Sequence, residues 1–133
     1  KISLYQRIDK TDSEQELKKL QEEITDMYGK LPKSVGLLFE KKRLEILIND
    51  PRILSFKERL KNAELSFGKE WSSSIDGVKL FRMISELSSA ITLKYLGGSI
   101  IVSIPKTTDW LTLALAVLDK TSHLAPKGDP HAN

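Results

Sequence analysis

Residues 91–104, ITLKYLGGSIIVSI, contain the strongest hairpin signal in the chain. Two apolar runs rich in β-branched and aromatic residues, 91–96 and 99–104, flank the pair Gly97-Gly98. Glycine supplies the positive φ angles that a two-residue hairpin turn requires. The sequence therefore predicts an antiparallel hairpin here, so the helices predicted elsewhere must pack with a β-sheet.

Upstream of this hairpin, residues 53–60 and 63–67 predict a second hairpin. Apolar residues alternate with polar ones in both stretches, which is typical of half-buried strands, and a turn is expected near residues 61–62. The alternating apolar residues are Leu54, Phe56, Leu65 and Phe67.

The most secure helix is predicted over residues 13–28. Thr11 with Glu14, or Ser13 with Glu16, can form a capping box at its start, and Gly29 can close its end. Its apolar stripe at the 3.6-residue period consists of Leu17, Leu20, Ile24, Met27 and Tyr28.

Three further helices are predicted by their caps and apolar spacing. Ser34 caps a helix to about residue 49 that packs on two sides, Asp76 caps another, and Thr108 or Asp109 opens the last. The shared apolar face after Asp76 is predicted to be Val78, Phe81, Ile84 and Leu87, and the last helix carries Leu111, Leu115 and Leu118.

The chain starts without an obvious helix cap. Leu4, Tyr5 and Ile8 already keep helical spacing. This spacing predicts that the chain begins inside a helix and is therefore a piece of a longer polypeptide. A processed leader is the alternative.

Together these elements predict an α+β fold, with helices packed against two short antiparallel hairpins that form a small sheet. We expect one domain over residues 1–122 and a flexible tail over 123–133.

The composition removes several classes of function. The chain has 133 residues, a net charge of +3 and no cysteine, which excludes disulfides, thiolate metal sites and cysteine nucleophiles. No phosphate-binding loop or dinucleotide fingerprint occurs, and no apolar run is long enough for a membrane span. The only histidines, His123 and His131, lie in the predicted tail. We therefore expect no enzyme activity, metal, cofactor or membrane partner.

Two alternatives to a protein-binding role remain open. Glu22, Glu23 and Asp26 form the one dense acidic group on a firmly predicted helix and are the candidates for an acid/base or cation site. A small nucleic-acid-binding module would use the basic residues Lys41, Lys42 and Arg43 with Lys57, Arg59 and Lys61.

The polar face of the 13–28 helix carries an unusual charge pattern. Lys19, Glu22, Glu23 and Asp26 fall together opposite Leu17 and Ile24. Glu22 and Asp26 are like charges four residues apart, and Asp26 lies in the last turn, where the helix dipole disfavours an anion. An ordinary solvated face is one explanation, and an acidic docking face for a basic partner surface is the other.

Two stretches resemble a known family. Residues 1–8, KISLYQRI, resemble its leucine–tyrosine–x–arginine–isoleucine opening, and residues 23–32, EITDMYGKLP, resemble its glutamate–x–x–aspartate–arginine–phenylalanine–glycine–x–x–proline signature. The family is the C-terminal domain of the bacterial transcription-repair coupling factor. The match is clear over residues 2–39 and continues only as a pattern to about residue 104.

The resemblance implies a regulatory role without catalysis. Members belong to an ATP-driven double-stranded-DNA translocase that displaces stalled RNA polymerase in the bacterial cytoplasm and recruits nucleotide excision repair. The C-terminal domain is similar to a clamp that docks on the N-terminal helicase-like module and hides the surface that recruits the damage-recognition ATPase. DNA is contacted only through other domains. The family's contact positions fall on Glu23 and Asp26, and Met27 replaces its arginine. The predicted partner-binding residues are Lys19, Glu22, Glu23, Asp26 and Met27.

Overall fold

The structure, a computed structural model, describes residues 3–127. Within this range it contains six helices and one four-stranded antiparallel sheet, which confirms the predicted α+β class. The chain divides between Asn49 and Asp50 into two compact units. The assignment of residues 1–122 to a single domain stays a prediction. Of the predicted tail, residues 128–133, with His131, lie outside the described range.

The first unit consists of three helices around a small apolar core. The helices are α1 (Leu4–Lys10), α2 (Glu14–Tyr28) and α3 (Lys33–Leu47). α3 contacts both α1 and α2, as expected for a helix that is apolar on two sides. The fully buried members of the core are Ile8, Leu17, Leu20, Ile24 and Phe39.

Helix starts in this unit differ in part from the prediction. Ser3 caps α1, because its hydroxyl oxygen accepts from Gln6 N and the Gln6 carboxamide accepts from Ser3 N. The prediction that the chain begins inside this helix is therefore wrong. Ser13 caps α2 as predicted and accepts from Glu16 N at 3.1 Å. α3 begins directly after Pro32 without a side-chain cap, so the cap predicted at Ser34 is wrong.

The buried stripe of α2 is shorter than predicted. Leu17, Leu20 and Ile24 are buried, but Met27 and Tyr28 are 63% and 74% exposed. The last turn of α2 lies outside the core cluster that covers the preceding turns. Two apolar side chains are therefore presented to solvent beside Asp26.

The second unit builds its sheet from two hairpins. The strands pair in the order β1-β2-β4-β3, so the hairpins join through the antiparallel pair β2–β4. Gly97 and Gly98 have φ values of +59° and +86°, as the predicted β3–β4 turn requires. The elements are β1 (Ile53–Glu58), β2 (Asn62–Phe67), α4 (Lys69–Ser74), α5 (Gly77–Leu87), β3 (Thr92–Leu96), β4 (Ser99–Pro105) and α6 (Trp110–Ser122).

One face of the sheet carries the core of this unit. Trp71 of α4 stacks on Phe67 with ring centroids 4.4 Å apart, and Trp110 of α6 stacks on Phe56 at 6.5 Å. Ser72 of α4 accepts from Ile100 N at 3.0 Å. These contacts place α4 and α6 on one face. The buried sheet residues of that face are Ala63, Leu65, Phe67, Ile100, Val102 and Ile104.

Helix α5 buries only part of the predicted face, because Ile84 is buried and Leu87 is half-buried as expected. Asp76 caps it as predicted, and its carboxylate accepts from Val78 N at 3.0 Å. Leu80 and Ile84 are buried, whereas Val78 and Phe81 are exposed. The sequence 78–87 has apolar residues on two sides of the helix, and packing against α6 buries the side with Leu80. The short helix α4 was not predicted.

Candidate protein-interaction surface

The five predicted partner-binding residues of α2 are all exposed. Ser13 fixes the start of this helix, and burial of Leu17, Leu20 and Ile24 fixes its rotation about its own axis. The same rotation exposes Lys19, Glu22, Glu23 and Asp26, whereas Met27 is exposed because the last turn of α2 lies outside the core cluster. We call the exposed set Lys19, Glu22, Glu23, Asp26 and Met27 the α2 flank.

The carboxylates of the α2 flank differ in their surroundings. Glu23 forms an ion pair with Arg7 of α1 rather than with Lys19. Within the described residues, Glu22 and Asp26 have no ion-pair or hydrogen-bonding side-chain partner. Two neighbouring carboxylates on one helix face thus remain available to cations from outside the unit.

An open groove of about 520 Å³ runs beside the α2 flank, between α1 and α2. Lys19 and Glu23 belong to both the groove and the flank. Leu20, almost completely buried, contributes an apolar wall. The groove is lined by Arg7, Lys10, Thr11, Glu16, Lys19, Leu20 and Glu23. The exposed surface is therefore mixed in charge on the α1 side and acidic toward the end of α2.

Sequence reasoning missed two residues of this surface. Arg7 lies 16 residues before Glu23, and no local pattern predicts that α1 brings the two together. Tyr28 was assigned to the core stripe, although its position in the last turn before Gly29 already leaves little chain to cover it.

The basic run of α3 does not form an open cationic patch. Lys42 is only 8% exposed, and its ammonium donates to the Asp9 carbonyl at 2.8 Å and to Glu45 at 3.4 Å. Arg43 donates to the Glu14 carboxylate at 2.8 Å. Of this run, Lys41 alone is exposed. A nucleic-acid surface built on the run therefore loses two of its three cations to contacts inside the unit.

The hairpin cations are also partly engaged. Arg59 donates to Glu64 at 3.0 Å, and Lys57 and Lys61 are exposed.

Among residues 3–127, no group of three or more His, Cys, Asp or Glu side chains is placed to hold a metal ion. His123 is exposed. No helix in the described range is long and apolar enough to cross a membrane.

The three helices of the first unit and the sheet with its helices in the second unit give the chain an α+β fold, and a solved structure shares this fold. The crystal structure of the C-terminal domain of a transcription-repair coupling factor superimposes with a TM-score of 0.63 at 18% identity. The alignment covers 88% of this chain and 74% of that one.

Sequence comparison identifies the family. The sequence model described as the TRCF domain matches residues 1–78, more than half of the chain. The chain is 29% identical over 122 residues to the transcription-repair-coupling factor of Bacillus subtilis (strain 168) and 24% identical over 111 residues to that of Staphylococcus haemolyticus (strain JCSC1435). The chain belongs to the TRCF domain family.

The chain spans about a tenth of the length of these curated relatives. The alignments cover 89% and 84% of this chain but 10% of each relative. The family match ends at residue 78, near the start of α5, so β3, β4 and α6 lie beyond it.

Proposed function

We propose that this chain is the C-terminal regulatory domain of an ATP-dependent DNA translocase that couples transcription to nucleotide excision repair in the bacterial cytoplasm. The domain is not catalytic. It docks through the α2 flank on the N-terminal helicase-like module of the same protein and masks the surface that recruits the damage-recognition ATPase. RNA polymerase and DNA are contacted through other domains.

The observation that carries this proposal is the state of Glu22 and Asp26 on α2. Both are exposed, and neither has a side-chain partner among the described residues. Like charges four apart, one of them near the negative end of the helix dipole, cost a few tenths of a kcal/mol each without a compensating partner. A basic partner surface supplies that compensation. The family membership of the chain supports a partner within the same protein.

Binding in trans tests the proposal. The 133-residue chain is titrated with the separately produced N-terminal module of its parent protein by isothermal calorimetry. Glu22→Lys/Asp26→Lys should weaken binding about tenfold or more, because removing two complementary charges costs over about 1.4 kcal/mol. The control, Glu70→Lys/Glu86→Lys, makes the same change in net charge on exposed sites of the second unit and should bind as the unaltered chain does.

Two outcomes would overturn the proposal. Equal affinity for the α2 variant and its control would remove the α2 flank from the interface. Micromolar binding of the unaltered chain to duplex DNA, with a steep dependence on salt, would favour the nucleic-acid-binding alternative instead. Thermal unfolding of each variant checks that the domain remains folded.

The ion pair between Arg7 and Glu23 leads to a prediction of opposite sign. Arg7 holds Glu23 in the free domain, so a cation from the partner must compete with it. Arg7→Ala should therefore tighten docking on the same module about two- to threefold, the effect expected for an exposed pair. Arg82→Ala, which removes an exposed arginine from α5, should leave the affinity unchanged. Weaker docking of Arg7→Ala would show that Arg7 itself contacts the module.

A further inference from the structure

Strand β3 is an open edge of the sheet in the second unit. It pairs with β4 on one side, in an unbroken register from Thr92 opposite Ser103 to Leu96 opposite Ser99. Among the described strands none pairs with its other side. The backbone N–H and C=O groups of that side can therefore pair with another extended chain.

The opposite edge, β1, is much less suited to strand addition. Its register shifts between Ile53 and Ser55, which interrupts the ladder. The end of β1 carries a charged pair, because Glu58 accepts from Lys106 at 2.9 Å. A bulge leaves a residue of the strand unpaired and bends it, so an added strand cannot continue a regular ladder along β1. Strand β3 has a regular register, and Lys94 is its one charged residue.

The two faces of β3 offer different chemistry. Tyr95 lies opposite the buried Ile100, so it is on the face that carries the helices. Lys94 lies opposite Ile101 and therefore projects from the other face. Lys94 is exposed and has no ion-pair partner in the part of the chain that the structure describes. A strand added to β3 would meet an aromatic ring on one face and an ammonium group on the other.

Helix α5 extends the apolar side of this edge. A Cβ atom added to Gly77 would lie 3.0 Å from the Tyr95 hydroxyl, so that hydroxyl is at the first turn of α5. Phe81 follows Gly77 by four residues and shares its helix face, with a side chain that leans back toward the helix start. Phe81 and Tyr95 are each 61% exposed, and Val78 beside them is 66% exposed. We call Tyr95, Phe81 and Val78 the apolar strip.

We propose that β3 and the adjoining face of α5 bind an extended segment of a partner protein in which apolar and acidic residues alternate. The segment adds a fifth strand to the sheet. Its apolar side chains pack on Tyr95 and Phe81, and its carboxylates face Lys94 on the other side of the sheet. A second copy of this chain is disfavoured in the register that pairs all of β3, because twofold antiparallel pairing centred on that strand would place Lys94 opposite Lys94. This surface shares no residue with the α2 flank.

A designed peptide tests the proposal on the 133-residue chain. The probe is a fluorescein-labelled, end-capped octapeptide of alternating glutamate and valine, followed by fluorescence anisotropy. Lys94→Glu should weaken binding of the glutamate–valine peptide about tenfold. The same variant should bind an octapeptide of alternating lysine and valine more tightly than the unaltered chain does, because the charge preference is reversed. Phe81→Ser should weaken the glutamate–valine peptide about fivefold through loss of the apolar strip. Lys57→Glu, on the other edge strand, is the matched control and should bind like the unaltered chain.

NMR localises the contact. Addition of the glutamate–valine peptide should shift the amide resonances of β3 and the first turns of α5 and leave those of β1 unshifted. Absence of saturation at millimolar peptide would overturn the proposal, as would equal binding by Lys94→Glu and the unaltered chain. Concentration-dependent dimerisation abolished by substitution at Tyr95 would show that a second copy occupies the edge instead, which also contradicts it.

Discussion

Replacing Phe67 with alanine should lower the free energy of unfolding of the second unit by about 3–5 kcal/mol. The ring is fully buried, stacks on Trp71 at 4.4 Å and lies under the Arg52 guanidinium at 5.7 Å. The substitution removes transfer free energy, leaves a cavity between the sheet and α4, and breaks both ring contacts. Urea unfolding followed by far-ultraviolet circular dichroism measures the loss.

The control for this prediction is Leu60→Ala in the β1–β2 turn. Leu60 is 92% exposed, and its truncation should change the stability by less than about 0.5 kcal/mol. Both tryptophans of the chain lie in the second unit, so intrinsic fluorescence reports on that unit's unfolding. Similar losses for the two variants would contradict the placement of the core on this face of the sheet.

Removing the Arg52 side chain should have the next largest effect, a loss of about 2–4 kcal/mol. Its guanidinium donates to Thr121 Oγ1 at 2.7 Å, to the Leu118 carbonyl at 2.9 Å and to Asp50 at 3.2 Å. The side chain is 13% exposed. Arg52→Ala removes three hydrogen bonds from a largely buried guanidinium, and the loss therefore exceeds that of an ordinary surface ion pair.

The conservative variant separates geometry from charge at this position. Arg52→Lys keeps the positive charge, but an ammonium cannot reproduce the fork of donors that reaches three acceptors at once. Its stability in urea should fall between those of the unaltered chain and Arg52→Ala. Arg82→Ala, exposed on α5, should cost little. A lysine variant as stable as the original would show that charge alone matters.

Local signals predicted much of this fold because they depend on neighbouring residues. The glycine pair before Ser99 specifies its turn by backbone sterics, and Asp76 caps α5 through its own carboxylate. The buried side of α5 was predicted only in part, for a different reason. Val78 with Phe81 and Leu80 with Ile84 are both plausible stripes, and only packing against another element decides between them.

In the candidate site, too, local spacing predicted some features and tertiary contacts determined the others. Periodicity alone places Glu22 and Asp26 on the exposed side of α2, because one buried stripe determines the rotation of the helix. The pair between Arg7 and Glu23 joins two helices, and the bond from Lys42 to the Asp9 carbonyl spans 33 residues. Such contacts follow from tertiary packing, which no local spacing reveals. These contacts pair Glu23 of the α2 flank and bury Lys42 of the basic run.

The proposed masking of the repair-recruitment surface is tested most directly in the full-length parent protein. The affinity of the damage-recognition ATPase for that protein is measured by surface plasmon resonance, with and without Glu22→Lys/Asp26→Lys. Release of the C-terminal domain should raise the affinity about 5- to 150-fold, the range that corresponds to a coupling of about 1–3 kcal/mol. Identical affinities for the two proteins, with the substituted domain still folded, would contradict regulation through the α2 flank.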